Sequence, residues 1–436
     1  MLKRIGALVL VLLMMGGAGA ESGIGQEAAE SGSGAEKAQT ETGLPEEETP
    51  ETAREGRKAR DISEFCLFNG RPGGPTHILN DGAYKRVFET GLKNGVHSVE
   101  VAVTEGDPLG ALYIQWAGDP VPVSVQVPAG EDWVTVASTE DAFCAAYIAF
   151  PETTRCRIVN RDNPAKQLRI SEMRALTAGE PGEDIQVWRK AGDKVDLMLI
   201  AGHPDDELIW FGGALPYYAG ERGKDTLVIT CAMSVEMRML ELCDALWACG
   251  VRIHPIFLHR LDFSDTDVRK VLKKWHAEDE TLPIIIGLIR EHKPDVLLLQ
   301  DVNGEYGHGI HRASCWLGQR GAEGAADPEA DPASAAAYGT WDVPKVYIHL
   351  WPENQIQMDW KQPLEAFGGR TGLEAAQDAL QYHKSQVVHG WKVEDGGEHD
   401  NSLFGLYRTT VGPDEAKNDF FEHIDPAETV SAEDAE

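Results

Sequence analysis

The sequence predicts an α/β protein with a Rossmann-like, doubly wound parallel sheet, preceded by an all-β sandwich of the jelly-roll type. Two patterns lead to this prediction. Short alternating runs separated by turn residues fill 61–180, as in antiparallel sandwiches. From 194 onward, nearly continuous aliphatic strands alternate with helical segments, as in sheets with helices on both faces. A chain of 436 residues has room for both domains and for two terminal segments.

The N-terminus has the pattern of a signal peptide over residues 1–20. Lys3 and Arg4 precede a short apolar run, and Ala18–Ala20 offers a small-residue cleavage site. The apolar run is shorter than the ~20 residues that cross a bilayer, and no cysteine follows it at a position for lipid attachment. We therefore expect a secreted or cell-surface protein, without stable membrane insertion after cleavage.

Two segments are expected to lie outside the folded domains. Residues 21–60 are rich in Glu, Gly, Ala and Thr, which predicts a disordered acidic linker. Residues 413–436 are predicted to form an acidic tail, disordered after about residue 415. The formal net charge is −31, much of it in these segments. A chain this acidic is poorly suited to nucleic acid or anionic membranes, so we expect neither partner.

Residues 61–180 form the predicted sandwich. The predicted strands are 97–103, 111–117, 122–127, 132–138, 145–150 and 167–176. The opening "ILNDGAYKRVFE" and the closing "LRISEMRAL" resemble discoidin or galactose-binding sandwiches, which implies a carbohydrate-binding domain. In such a domain Asp81 and Trp116 could contact a ligand. The alternative is a turn aspartate and a core tryptophan.

Residues 190–412 form the predicted α/β domain. The predicted strands begin with "VDLMLIAG" and continue with 226–232, 254–260, 295–302 and 345–351. The predicted helices are 207–222, 234–250, 277–292, one after 309, and 372–386. The Ala-, Gly- and acid-rich stretch 319–339 is expected to be a loop. No Gly-x-Gly-x-x-Gly follows the first strand, so a dinucleotide is not indicated.

The seven cysteines do not form a recognisable framework. An odd number leaves at least one thiol free. Cys231, Cys243 and Cys249 fall on the strand and helix of the α/β pattern, where small buried thiols are common. Cys144 and Cys156 could pair across two strands, and the sequence alone leaves that open.

Two ionisable clusters follow strands of the α/β domain. His203, Asp205 and Asp206 come directly after its first strand, and His308 and His311 follow its fourth. The aspartates could cap a helix, and an isolated pair of histidines three apart is often incidental. However, the carboxyl ends of parallel strands meet at one edge of a sheet. Their joint placement predicts a metal site there.

The residue types suit a catalytic zinc, which takes three protein ligands and keeps a position open for water. His203, Asp206 and His311 supply such a set, although another divalent ion also suits nitrogen and oxygen ligands. Shared ligation requires the imidazoles of 203 and 311 to lie within about 6 Å of each other. Asp205 is then free to act as general base. His308 can stabilise the oxyanion or protonate the leaving nitrogen.

Some neighbouring residues receive simpler interpretations. Glu207 is expected to complement the dipole in the first turn of a helix. His254, His259, His349, His383 and His389 have no matched partners in the sequence, so they are expected to be structural.

The motifs "AGHPDDELIWFGGAL", "RMLELCDALWACGV" and "GEYGHGIHR" resemble those of the PIG-L/LmbE-like deacetylases, over roughly 194–412. The resemblance implies zinc-dependent removal of an N-acetyl group, usually from a glucosamine unit. It also implies that His203, Asp206 and His311 bind the zinc. Asp205 would be the base, and His308 would stabilise the oxyanion. Arg238 and Glu241 match the family's Arg-x-x-Glu, so that Arg238 either binds the sugar or pairs with Glu241. Many members have His-Pro-Asp-His where this chain has Gly309 and Ile310 between the histidines.

The expected function is therefore that of an exported zinc-dependent N-deacetylase acting on an N-acetylglucosamine-type glycan or glycoconjugate. One alternative is a hydrolase of another N-acyl or ester bond, on a glycoconjugate or a small thiol sugar. The other is a glycan-binding adhesion protein with an inactive α/β domain. The sequence does not indicate the oligomeric state.

Overall fold

The computed structural model describes residues 56–424. The predicted signal peptide, most of the predicted linker and residues 425–436 lie outside the described residues. The linker prediction is wrong for its last residues, because their backbone pairs with the end of the sandwich. The Ala59 N–H donates to the Glu180 carbonyl at 2.8 Å, and the Arg60 N–H donates to Thr177 Oγ1 at 3.0 Å.

Two antiparallel sheets make up the sandwich. One has the order β2-β1-β5-β10-β7-β8, with β4 on β5. Its strands are β1 (Cys66–Phe68), β2 (Arg71–Pro72), β4 (Leu92–Lys93), β5 (Val96–Val103), β7 (Val123–Ala129), β8 (Asp132–Ser138) and β10 (Arg155–Asn160). The other has the order β3-β11-β6-β9. Its strands are β3 (Phe88–Glu89), β6 (Leu109–Trp116), β9 (Ala145–Thr153) and β11 (Arg169–Leu176).

Most of the longer strands of the sandwich could be predicted from alternating apolar and polar residues, because one face of each sheet is buried in a common core. Val99, Leu112, Ile158 and Met173 come from both sheets and are fully buried between them. Strand β10 was not predicted, because Arg155 and Arg157 interrupt its apolar side chains.

The two candidate sugar contacts of the sandwich have structural roles. Trp116 is 2% exposed and belongs to the sandwich core. Asp81 accepts a hydrogen bond from the Ala83 N–H at 2.8 Å and pairs with Arg86. The structure therefore supports the turn aspartate and the core tryptophan.

The second part of the chain is the predicted α/β domain. Its seven-stranded sheet has the order β14-β13-β12-β15-β16-β20-β17. The strands are β12 (Leu197–Ala201), β13 (Thr226–Ala232), β14 (Ile256–Arg260), β15 (Val296–Leu299), β16 (Lys345–His349), β17 (Gln355–Gln357) and β20 (Leu403–Thr409). Strands β12 to β16 pair in parallel, and β20 and β17 add antiparallel strands at one edge. A separate hairpin joins β18 (Pro363–Leu364) to β19 (Arg370–Thr371).

Helices cover both faces of this sheet. They are α1 (Asp206–Ile209), α2 (Met237–Ala248), α3 (Val268–Lys274), α4 (Leu282–His292), α5 (Gly309–Ala326), α6 (Pro332–Tyr338), α7 (Gly372–Leu380) and α8 (Lys384–Val387). Leu197 and Leu199 of β12 share a core with α2 and α7, whereas Met198 and Ile200 share one with α4 and α5. Within residues 56–424, none of the helices has the length and apolar composition that crossing a membrane requires.

The predicted loop 319–339 is wrong, because α5 and α6 occupy most of it. The glycines of α5 mark close packing. A Cβ atom at Gly318 would lie 2.1 Å from Leu299 Cδ2, and one at Gly321 would lie 2.5 Å from Ile285 Cγ2. The alanines between the glycines favour the helix.

The predicted helix 207–222 is broken into α1 and a π-helix, Pro216–Glu221. Between them, Gly212 adopts a positive φ of 54°. A Cβ atom there would lie 2.6 Å from Asn401 Oδ1. Close approach of a distant loop therefore ends α1 after a single turn.

The predicted tail is wrong for residues 414–421, which pack against the sheet. Phe420 and Phe421 are buried at 0% and 1% exposure. The Tyr218 hydroxyl donates to Asp419 at 2.7 Å, and the buried Lys345 pairs with Asp414. Acidic composition misled the prediction, because these carboxylates have buried partners.

The sandwich packs directly on the α/β domain. Ala111, Tyr113 and Leu176 belong to the same buried cluster as α2. At this junction Asp244 of α2 accepts hydrogen bonds from the Tyr84 hydroxyl at 2.7 Å and from Gln186 Nε2 at 2.6 Å.

We expect Asp244 to make the junction sensitive to pH. Burial raises the pKa of Asp244 from 3.8 to about 6, against the two hydrogen bonds. Between pH 3.8 and about 6, Asp244 keeps its proton in the folded state and loses it in the unfolded state. The contribution of Asp244 to the free energy of unfolding therefore falls as the pH rises through this interval. Asparagine does not titrate, so the free energy of unfolding of Asp244→Asn should gain about 1–3 kcal/mol relative to that of the wild type over this interval. Urea unfolding at several pH values measures it, and a constant difference would contradict the assignment.

Candidate metal centre and active site

The loops after β12 and β15 are joined by hydrogen bonds. Gln300 Oε1 accepts from the Gly202 N–H at 2.7 Å and from the Ser314 hydroxyl at 2.8 Å. A Cβ atom at Gly202 would lie 3.0 Å from Gln300 Oε1 and 3.2 Å from His311 Cδ2 of the other loop. Glycine at 202 therefore lets the two loops approach closely enough to share a site.

This edge brings His203, Asp206 and His311 together. Asp206 Oδ2 lies 3.1 Å from His203 Nδ1 and 3.3 Å from His311 Nε2. The ring centroids of His203 and His311 are 5.2 Å apart, within the separation that a shared ion requires. Ring nitrogens of these two histidines and of His308 lie within 4.8 Å of one another.

The hydrogen bonding of His311 shows that this cluster fits a cation. Its Nδ1 lies 2.8 Å from Glu305 Oε2, which places the ring proton on Nδ1. Its Nε2 is buried and has no hydrogen-bond partner among residues 56–424. A buried lone pair beside a carboxylate is costly unless a cation accepts it, so the donor set suits zinc or a similar divalent ion.

A buried relay supports His311 from behind. Glu305 Oε1 lies 2.7 Å from His349 Nδ1, and His349 Nε2 lies 3.0 Å from the Asp400 carbonyl. Burial opposes ionisation of Glu305, but hydrogen bonds from the two histidines lower its pKa to about 2. His349 was expected to be merely structural, whereas it holds the carboxylate that orients His311.

Asp205 lies beside the cluster in a strained conformation. Its φ is 129°, in a region that few non-glycine residues adopt. Arg238 donates to Asp205 Oδ1 at 2.9 Å and also to the Pro204 carbonyl. Burial and the nearby Asp206 raise the pKa of Asp205 to about 7, and Arg238 opposes them. The structure therefore pairs Arg238 with Asp205 and not with Glu241, which accepts from the Ser385 N–H at 2.9 Å.

Glu207 does more than complement the helix dipole. It accepts the Asp205 N–H at 2.7 Å, and its other oxygen lies 2.6 Å from His383 Nε2. Both side chains are completely buried. His383, which was expected to be structural, holds Glu207 and so helps to fix the strained Asp205 backbone.

His308 caps α5 and lines the cavity. Its Nδ1 accepts a hydrogen bond from the Ile310 N–H at 3.2 Å. Burial and the neighbouring His311 and His203 lower the pKa of His308 to about 4. His308 is therefore neutral near pH 7, with its proton on Nε2.

A cavity of about 140 Å³ lies over these groups, lined by His203, Asp205, Arg238 and His308. A neighbouring compartment of about 380 Å³ shares Trp210, Tyr306 and Trp391 with it.

Sequence reasoning missed the aromatic residues and Asp262, whose Oδ1 lies 3.5 Å from His203 Nε2. They come from loops far apart in the chain, without a shared spacing. Trp210 is the exception, because it lies within the motif that contains His203 and Asp206. In the structure its indole N–H donates to Asp206 at 2.9 Å.

A buried His-Asp-His cluster at the carboxyl edge of an α/β sheet, with a second carboxylate beside it, has the donor types that metal-assisted hydrolysis requires. The chain is 31% identical over 209 residues to 1D-myo-inositol 2-acetamido-2-deoxy-alpha-D-glucopyranoside deacetylase 1 of Catenulispora acidiphila. That match covers 42% of this chain and 63% of the relative, so it spans less than two thirds of that enzyme. The predicted resemblance to the PIG-L/LmbE-like deacetylases is thereby confirmed. No family model matches the chain.

Solved structures give more distant likenesses. An N,N'-diacetylchitobiose deacetylase from Pyrococcus horikoshii matches 44% of this chain and 71% of its own, with a TM-score of 0.34 and 16% identity. An F5/8 type C domain from Bacteroides fragilis matches 24% of this chain and 81% of its own, with a TM-score of 0.19 and 15% identity.

Proposed function

We propose that the protein is a metal-dependent amidase that removes the acetyl group from an N-acetylated amino sugar. The Nε2 atom of His311 carries the proposal, because it is buried beside Asp206, has no hydrogen-bond partner in the described part of the chain and suits a cation. The name of the curated relative supports the choice of an N-acetylglucosamine-type substrate. We further propose zinc as the metal, an exported location and a Rossmann-like arrangement of the parallel sheet. The proposed domains are 61–180 and 190–412, and the contacts described above extend the first back to Ala59 and the second on to Phe421.

His203, Asp206 and His311 would hold the ion. A divalent ion bound there lowers the pKa of a water molecule and polarises the substrate carbonyl. Asp205 accepts the proton of the attacking water on Oδ2, because Arg238 occupies its Oδ1. Arg238 and the Glu207 contact hold the carboxylate in place.

His308 acts on the other side of the carbonyl. As a neutral donor, its Nε2–H stabilises the negative charge that develops on the carbonyl oxygen. Asp205 then transfers its proton to the leaving nitrogen. The products are acetate and a free amine, and the carboxylate is restored for the next turnover.

Acetate release from N-acetylglucosamine, from its oligosaccharides and from 1D-myo-inositol-linked N-acetylglucosamine tests the proposal, with metal analysis of the same samples. We expect activity in the wild type, and loss of both metal and activity in His311→Ala. Metal-loaded protein that releases no acetate from any of these sugars would reject deacetylation. Activity on other N-acyl or ester substrates would then favour the alternative hydrolase. Glycan binding without any hydrolysis would favour the adhesion protein.

The aromatic compartment is proposed to hold the group attached to the reacting sugar. The Trp391 ring lies 5.5 Å from Tyr306 and 6.0 Å from Trp210, between centroids. Since aromatic faces contribute about 1 kcal/mol to ring contacts, Trp391→Ala should lower kcat/KM about fivefold for an N-acetylated disaccharide. The monosaccharide should change less, about twofold, because it meets Trp391 only where the two cavities adjoin.

Trp133→Ala is the matched control for Trp391→Ala. Trp133 lies on the sandwich, where the Arg157 guanidinium stacks 4.5 Å above it. This variant should leave both substrates unchanged. An equal loss for both substrates in Trp391→Ala would contradict the proposed compartment.

A further inference from the structure

A second cluster of ligand-type side chains lies at the junction of the sandwich and the α/β domain. It consists of Cys144, Cys243 and His254, and one sulfur or nitrogen atom of each lies within 4.8 Å of the others. Cys144 directly precedes β9 of the sandwich, and Cys243 lies on α2. Both cysteines are 0% exposed and belong to the core that the two domains share.

The hydrogen bonding of His254 argues against a metal ion at this cluster. Its Nε2 accepts the Cys144 N–H at 2.9 Å, so the Nε2 lone pair is occupied. The neutral ring then carries its proton on Nδ1 and has no lone pair for a metal. This contrasts with His311, whose free lone pair faces a carboxylate.

The two thiols are instead arranged for reaction with each other. A hydrogen bond from the Cys243 thiol lowers the pKa of Cys144 below its usual value, although burial opposes it. Burial raises the pKa of Cys243 well above its usual value. The fold brings the two sulfur atoms within 4.8 Å of each other, so that a disulfide would link neighbouring side chains.

The two other cysteines of the sandwich, Cys66 and Cys156, do not compete for this bond. Cys66 and Cys156 lie on β1 and β10, on opposite sides of β5, opposite Val103 and Val101 respectively. Two strand spacings separate them by about 9–10 Å, beyond the ~7 Å that a disulfide spans between Cα atoms. Cys156 belongs to the sandwich core and Cys144 to the shared core, so the pairing of 144 with 156 is not favoured.

We propose that Cys144 and Cys243 form a disulfide that ties the sandwich to α2. The Cys144 thiolate attacks a sulfur of a small disulfide such as oxidised glutathione and releases one glutathione thiolate. That thiolate takes the proton of Cys243, whose sulfur attacks Cys144 and releases the second glutathione, which is protonated from solvent. The cysteine pair loses two electrons to the oxidant. Since both sulfurs are buried, the exchange takes place during folding, before the sandwich closes on α2.

The bond would stabilise the helix that supports the proposed base. Helix α2 carries Arg238, which bonds to Asp205, about one and a half turns before Cys243. The Asp244 contacts with Tyr84 and Gln186 hold the same part of α2. The bond itself does not depend on the proposed activity, and its test measures thiols and stability.

The test refolds the full chain with reduced and oxidised glutathione, then maps peptides without reduction. We expect a linked pair of peptides containing Cys144 and Cys243, and five of the seven thiols free. The oxidised protein should unfold about 5 °C or more above the reduced protein. Cys144→Ser and Cys243→Ala should each abolish the linked peptide. Cys66→Ser, which alters another buried thiol, should keep it.

Three results would overturn the proposal: seven free thiols after oxidation, a linkage to any other cysteine, or a metal ion that is lost in Cys144→Ser and retained in His311→Ala. The comparison of oxidised and reduced wild type needs no variant, so it decides the matter even where a substitution prevents folding.

Discussion

Asp205→Asn is expected to lower kcat for acetate release about 10³-fold while the protein retains its metal. The amide keeps an oxygen for the Arg238 hydrogen bond, which the wild type makes at 2.9 Å. It cannot accept the proton of water, because an amide is not basic near pH 7. The metal remains because His203, Asp206 and His311 are unchanged. Steady-state kinetics and metal analysis on the same preparation measure both effects.

The controls separate loss of the base from loss of the site. His311→Ala should lose metal and activity together. Asp342→Asn removes an exposed carboxylate that pairs with Arg408 and should leave both unchanged. Metal-loaded Asp205→Asn with more than a tenth of wild-type activity would mean that another group accepts the proton.

The position of the site was predictable because it follows from topology. Aliphatic runs such as 197–201 and 226–232 form buried parallel strands, and their carboxyl ends necessarily meet at one edge. The residues at those ends, among them His203 and His311, are therefore brought together whatever the surrounding loops do.

The side chains that hold the site residues in place could not be predicted from the sequence, because their contacts join segments that are far apart in the chain. Glu305 meets His349 across 44 positions, and Glu207 meets His383 across 176. No periodicity links such residues. The loop prediction for 319–339 was wrong for a related reason. Its glycine-rich composition is typical of loops, but the glycines of α5 allow close packing, as Gly318 does against Leu299.

The acidic composition after residue 412 predicted a tail, although Asp414 is buried against Lys345. Breaking this pair is expected to have the largest effect on stability. Both side chains are at most 2% exposed, and the Tyr347 hydroxyl also donates to Asp414 at 2.6 Å. Lys345→Met leaves the Asp414 carboxylate buried without its cation. We expect the free energy of unfolding to fall by about 3–5 kcal/mol.

Urea unfolding can separate the two causes of that loss. The double variant Lys345→Met with Asp414→Leu should recover most of the stability, because no buried charge is then left unpaired. Lys361→Met breaks a pair with Asp395 whose side chains are 64% and 45% exposed, so it should cost less than about 1 kcal/mol. Equal losses in Lys345→Met and Lys361→Met would show that residue 414 does not depend on its buried cation. The segment after 412 would then contribute through its phenylalanines alone, which Phe420→Ala would measure as an independent loss.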